Sequence, residues 1–196
     1  MTSKSKADQF AQTLNELNLA GDGDNKALPP VDDWRPTVSG EIDIRINREG
    51  VWFYQNEEMT RKAMVKLFST ILRLDDDNHF YLVSPVEKMR ISVDVAPFAI
   101  VDLRVVHIEG KQAIIFRTNV DEDVVLREPQ QFIVEKNAKD EPIPLLTVRK
   151  NLKGLLNRNV FYQLADLAVL HKVDGLEYLG IWSCDTFYPI DLASST

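Results

Sequence analysis

GEIDIRINREGVWFY, residues 40–54, alternates the polar Glu41, Asp43 and Arg45 with Ile42, Ile44 and Ile46 before reaching Gly50. Alternation at period two marks a strand with one buried face, and a glycine able to take positive φ suits the turn that follows. The stretch therefore predicts a β-hairpin that returns through residues 51–54. It runs on into EMTRKAMVKLF (58–68), where Thr60 reads as a helix N-cap and Met64, Leu67 and Phe68 fall at helical spacing. A helix over residues 61–72 follows.

A similar phrase, LLTVRKNLKGLL (145–156), returns in the second half, with an Arg-Lys pair ahead of Leu152, Leu155 and Leu156. Two such phrases predict a duplicated hairpin-plus-helix unit, with the second helix over residues 150–156. Around them, FYLVS (80–84) reads as strand after the acidic turn DDDN (75–78). Residues 99–108 and 112–118 read as a hairpin closed by EGK (109–111), and QQFIVE and PIPLLTV as further strands. VFYQLADLAVLH (160–171) carries Val160, Leu164, Leu167 and Leu170 on one helical stripe, and EYLGIWS (177–183) is the last predicted strand. The fold class is α+β: two small domains with a repeated hairpin-plus-helix motif, mainly antiparallel sheet. Residues 1–37 form an N-terminal helix and linker arm, 38–96 the first domain and 97–196 the second. In the arm, Ala7, Phe10, Leu14 and Leu17 share one helical face before the linker GDGDNKALPP (21–30), and the prolines of PPVDDWRP (29–36) hold the approach to the body extended.

Composition bounds the function. With 44% hydrophobic and 27% charged residues, the 196-residue chain is ordinary globular protein. A formal charge of −7 disfavours nucleic acid and anionic membrane as partners, since neutralising phosphates requires excess Lys and Arg. The single cysteine, Cys184, forms no intrachain disulfide and fits a reducing compartment, so the cytoplasm is expected. The opening MTSKSKADQF has no apolar core of a signal peptide, and VAPFAIVDLRVV (95–106) is interrupted by Asp102 and Arg104.

Residue chemistry offers few reactive motifs. GDGDNKAL follows no strand and lacks the Gly-Lys-Ser/Thr ending of a phosphate loop, and DDDNH lacks the spacing and closing Glu of a calcium loop. His79, His107 and His171 show no ligand spacing, so no metal and no cofactor are expected. Cys184 reads as a small hydrophobe rather than a nucleophile served by His171. No catalytic residue is assigned.

The suggestive feature is cationic. Arg61 with Lys62 stands at a helix start, where positive charge opposes the helix dipole and an anion is welcome. A small anionic ligand or acidic partner near Arg61 would resolve the conflict, with Arg45 as second cation and Trp52 or Tyr54 as a flat apolar wall. An ion pair with Asp43 or Glu41 is the competing reading. A non-enzymatic binding module is thus expected, with a small-molecule enzyme of unrecognised type as the alternative. The apolar arm and exposed strand edges predict a homodimer.

Taken together, GEIDIRINREGVWFY, MVKLFSTIL, YLVSPVEKMRISVDVAPF, FRTNVDE and GIWS resemble the proteobacterial family catalogued as domain of unknown function 1285. The resemblance runs from PPVDDWRP to about Pro189. It implies a cytosolic bacterial protein of two α+β domains with a suggested signalling or regulatory role and no assigned activity. The family's recurring positions correspond to Trp34, Asp43, Arg45, Gly50, Trp52, Arg61, Pro85, Glu87, Pro97, Phe98 and Trp182. The chain departs from the pattern at SCDTF (183–187), so the resemblance gives Cys184 no role.

Overall fold

The computed structural model describes residues 6–9, 12 and 28–193 and divides the chain into two units, Met1–Val95 and Ala96–Thr196. In the first unit, the isoleucine alternation builds β1 (Val38–Ile46), with Ile42, Ile44 and Ile46 buried and Glu41 and Asp43 exposed. Asn47 makes the turn: its side-chain oxygen accepts from the backbone N–H groups of Glu49 (3.0 Å) and Val51 (2.8 Å). Gly50 completes it at φ 77°. β2 (Trp52–Tyr54) returns antiparallel, pairing Ile46 with Trp52 and Ile44 with Tyr54. A further turn through Gln55 and Asn56, both at positive φ, leads to the short β3 (Glu57–Glu58).

Helix α1 (Lys62–Thr70) is shorter than predicted, and its N-cap is Arg61, not Thr60, with no side-chain capping bond. It stops at Thr70 because Ile71 and Leu72, both buried, turn straight into β4 (Leu72–Leu74), where Ile71 O accepts from Val83 N at 3.0 Å. β5 (Phe80–Val83) and β6 (Glu87–Val93) complete a six-stranded sheet in the order β3-β2-β1-β6-β5-β4. Trp52 and Phe68 meet in the core at 6.4 Å between ring centroids. The β1–β6 pair is parallel, which the sequence does not announce.

The second unit holds β7 (Phe98–Ile108), β8 (Lys111–Thr118), β9 (Asp123–Val125), β10 (Phe132–Lys136), β11 (Pro142–Arg149) and β12 (Leu152–Leu156). Glu109 and Gly110, at φ 51° and 80°, form the predicted two-residue turn between β7 and β8. The sheet order is β10-β11-β12-β7-β8-β9. Each six-stranded sheet thus joins two three-stranded antiparallel meanders through a parallel pair of its first and last strands in sequence, β1 with β6 and β7 with β12.

The expected repeat is not this one. Residues 150–156 are not helical: Lys150 sits at φ 51° in the β11–β12 turn and β12 is a strand. Leu152, Gly154, Leu155 and Leu156 are all buried while Lys153 reaches Glu135 at 3.1 Å, so this strand lacks strict alternation and its three leucines imitate helical spacing over so short a window. The two Arg-Lys phrases therefore occupy unrelated places, one opening a helix and one in a hairpin turn. Helix α2 (Arg158–Asp166) follows β12, capped by Asn157, whose side chain accepts from Val160 N at 2.8 Å. It ends before the predicted stripe does. Leu170 lies in the edge strand β13 (Val169–Val173) and is exposed. Two nine-residue helices and the helical residues of the arm, beside fifteen strands among the described residues, make the protein sheet-rich, with few helices and mostly antiparallel pairing.

β13, β14 (Leu176–Ser183) and the unpredicted β15 (Thr186–Leu192) form a three-stranded sheet. Gly180 is required here, since a Cβ would lie 2.4 Å from the Phe187 ring. Its hairpin tip docks on β8: Cys184 N donates to Gln112 O (2.9 Å), Ile114 N donates to Ser183 Oγ (2.9 Å), and Lys111 pairs with Asp185. In the N-terminal arm, residues 6–9 and 12 are helical; Phe10, Leu14, Leu17 and the linker through residue 27 lie outside the described residues.

Candidate functional site

Strand parity sorts the predicted residues. Arg45 stands opposite Phe53 in the β1–β2 ladder, whereas Trp52 and Tyr54 stand opposite the buried Ile46 and Ile44, on the other face of the sheet. Side chains alternate faces along a strand, so Arg45 cannot share a cleft with Trp52 and Tyr54. Instead Arg45 holds Asp94 by two hydrogen bonds, and these keep the Asp94 carboxyl below its usual range. Trp52 is 2% exposed in the core, and its indole N–H has no hydrogen-bond partner among the described residues. It offers no wall to a ligand.

Tyr54 and Arg61 do come together. They line a pocket of about 220 Å³ with Met59 and Met64 and with Glu57 and Glu58 of β3. The remaining side is the N-terminal arm: Ala7 is 3% exposed there, and the Asp8 carboxylate accepts from Arg61 Nη2 at 2.5 Å. The carboxylate that neutralises the helix start is therefore neither Asp43 nor Glu41. Glu41 faces Arg90 at 3.6 Å. The Arg61 side chain keeps 68% of its surface in solvent, so its remaining donors are accessible. The pocket is smaller than the roughly 300–1,000 Å³ of drug-sized ligand sites.

The second Arg-Lys arginine is different in kind. Arg149 is half-buried in the second unit, pairs with Glu122 and lies over the Phe98 ring at 4.9 Å. Burial pushes the Glu122 carboxyl up and the Arg149 guanidinium down, against the attraction between them. A further ionic network in the first unit links Asp75 to Arg73 (2.5 Å) and Lys88 (2.7 Å), and Arg73 also donates to the carbonyls of Val31 and Trp34. Trp34 is thereby tied to the body by its backbone. Among the described residues, no group of three or more His, Cys, Asp or Glu side chains could hold a metal, and no helix is long and apolar enough to cross a membrane.

Two family models cover most of the chain: "Domain of unknown function (DUF1285), N-terminal domain" matches residues 29–96, and "Protein of unknown function (DUF1285), C-terminal domain" matches residues 97–190. The chain belongs to the DUF1285 family. It is similar to the crystal structure of a DUF1285 family protein from Silicibacter pomeroyi DSS-3, at 41% identity over 86% of this chain and 90% of that one, with a TM-score of 0.76. A second DUF1285 structure, from Shewanella baltica OS155, is 26% identical over 63% of this chain and 90% of that one, with a TM-score of 0.50. No curated protein matches. Within this DUF1285 chain, Asp8, Glu57, Glu58, Met59 and Met64 are among the pocket residues that sequence reasoning missed. Asp8 precedes the family match, which begins at residue 29, and the helical spacing of Ala7, Phe10, Leu14 and Leu17 pointed to the arm but not to Asp8.

Proposed function

We propose that this protein is a binding module, acting in regulation or signalling, whose first unit takes a small carboxylate at the Tyr54–Arg61 pocket. The observation that supports the reading is the Asp8 carboxylate seated on Arg61, a carboxylate to which the guanidinium donates. Tyr54, Met59 and Met64 supply apolar surface for a short carbon chain. Glu57 and Glu58 line the same pocket and repel multiply charged anions, so a ligand with one carboxylate at the arginine suits it better than a nucleotide or polyphosphate.

A thermal-shift series with acetate, butyrate, succinate and phosphate tests this. At a hundred times its dissociation constant, a bound ligand adds about 2.7 kcal/mol to stability, and Arg61→Ala removes the gain. If no carboxylate moves the melt, or the gain survives Arg61→Ala, the site is elsewhere. The same proposal places the protein in the cytoplasm, in keeping with its one free cysteine, Cys184. It also includes a homodimer, for which exposed apolar residues of the edge strand β13, Val169 and Leu170, provide a surface. Sedimentation equilibrium reporting a single 22.4 kDa chain at micromolar concentration removes the dimer.

A further inference from the structure

We propose that the outward face of the sheet β13-β14-β15 in the second unit is the surface on which two copies of this chain meet, packed face to face as a sandwich. The inference rests on the homodimer reading above and adds the surface and the mode of packing. Register assigns the faces. Val169 stands opposite Gly180, His171 opposite Tyr178 and Val173 opposite Leu176, while Trp182 stands opposite Phe187 and Tyr178 opposite Leu192. Side chains alternate along a strand, so these residues share one face. The other face carries Ile181, Ser183 and Tyr188, all buried, with Ser183 Oγ accepting from Ile114 N of β8.

That leaves apolar side chains in solvent. Leu176 is 54% exposed, Leu192 51%, Val169 46% and Trp182 37%. At the centre the rings of His171, Trp182 and Phe187 meet at 4.7 to 5.3 Å between centroids, with the Phe187 ring lying over Gly180. The charged residues of the three strands are on the opposite side, where Lys172 faces Glu177 and Asp191 stands opposite Leu179. A solvated face of an antiparallel sheet ordinarily carries the polar residues, and here that pattern is reversed.

Charge and area select a second copy as the occupant. A chain of formal charge −7 repels itself, and a two-fold contact sets one patch against the same patch, so two copies close best on a face without charge. Each face also supplies the second layer that the other lacks, at the roughly 10 Å spacing of packed sheets. Three strands about 4.8 Å apart, the longest of 8 residues at about 3.4 Å each, present roughly 14 by 27 Å, or about 380 Å² in projection. This is small beside the roughly 800 Å² of accessible surface that each partner gives to a standard interface. The dimer is therefore reversible, with a dissociation constant in the micromolar range.

Sedimentation equilibrium of the full chain from about 1 to about 100 μM tests this. Wild type should pass from 22.4 kDa to twice that mass, and the Trp182 indole N–H resonance should move over the same concentrations. Leu176→Glu should weaken association about tenfold or more, since the contact would bury an unpaired carboxylate. Val169→Glu repeats the test should Leu176→Glu fail to fold. Leu170→Glu, on the opposite face of β13, should leave association unchanged. A dimer that survives both face variants, or that Leu170→Glu abolishes as well, overturns the face packing while leaving the homodimer standing. Wild type that stays at 22.4 kDa throughout overturns the homodimer itself. A monomer that phosphatidylcholine vesicles capture, with capture lost in Leu176→Glu, gives the face to lipid and overturns the second copy.

Discussion

Arg45 grips Asp94 across the end of the parallel β1–β6 pair, Nε to Oδ1 at 2.9 Å and Nη2 to Oδ2 at 2.6 Å, while Asp94 N donates to Ile46 O at 3.0 Å. The side chain that a charge-based reading assigns to a ligand is thus a clamp between two strands. Because the fork is satisfied on the face away from the pocket, Arg45→Ala should lower the melting temperature slightly and leave carboxylate affinity at the Arg61 site unchanged. Loss of binding in Arg45→Ala, measured by calorimetry, would return Arg45 to the site.

Arg149 and Arg61 should respond oppositely to truncation. Arg149→Ala strands the half-buried Glu122 without its partner and uncovers the Phe98 ring, which should cost about 3–5 kcal/mol. Arg61→Ala removes an exposed pair and should leave stability nearly unchanged. Urea melts of the two variants, run side by side, decide the matter.

Gly50 at φ 77° closes the Asn47 turn, where a β-branched side chain is strained. Gly50→Val should destabilise by roughly 1 kcal/mol or more, whereas an unchanged urea midpoint would mean that the turn tolerates another conformation.

Acid should loosen the first unit through Asp75. Burial pushes this carboxyl up, but its hydrogen bonds to Arg73 and Lys88 outweigh burial and hold it below its ordinary value. A carboxyl depressed in the folded state contributes stability in full above its unfolded pKa, about 3.9, and loses it as pH falls through the lower folded value. Lys88 is raised by the same contact with Asp75, so its share is present at neutral pH and fades only above the ordinary lysine range. Asp75→Asn should therefore cost about 1 kcal/mol at pH 7 and flatten the decline below pH 4. A variant whose acid limb matches wild type would show that the network carries no linkage.

Local devices were legible in the sequence and long-range ones were not. The isoleucine alternation of residues 42–46, the turn at Gly50 and the Glu109–Gly110 turn are each written within a few residues, and the chain obeys them. The parallel pairs β1–β6 and β7–β12 join strands far apart in sequence, and no local pattern encodes such a register. β12 escapes the strand pattern because Gly154, Leu155 and Leu156 are buried in succession, which erases the alternation that distinguishes strand from helix. At the site, the cations at a helix start drew attention to Arg61, whose carboxylate partner in the structure is Asp8 rather than Asp43 or Glu41, and Tyr54 followed from the hairpin. The parity of Arg45 with respect to Ile44 and Ile46 already put it on the opposite face. Asp8 had no signal, since its partner lies fifty-three residues away.

The most direct test of the central claim watches Arg61 itself. In a two-dimensional NMR spectrum of the arginine Nε–Hε groups, assigned by comparison with Arg61→Lys, titration with butyrate should move the Arg61 resonance saturably, together with ring protons of Tyr54, while Arg45 and Arg149 stay fixed. An Arg61 resonance that does not move at millimolar butyrate, or a shift confined to Arg45, would contradict the account.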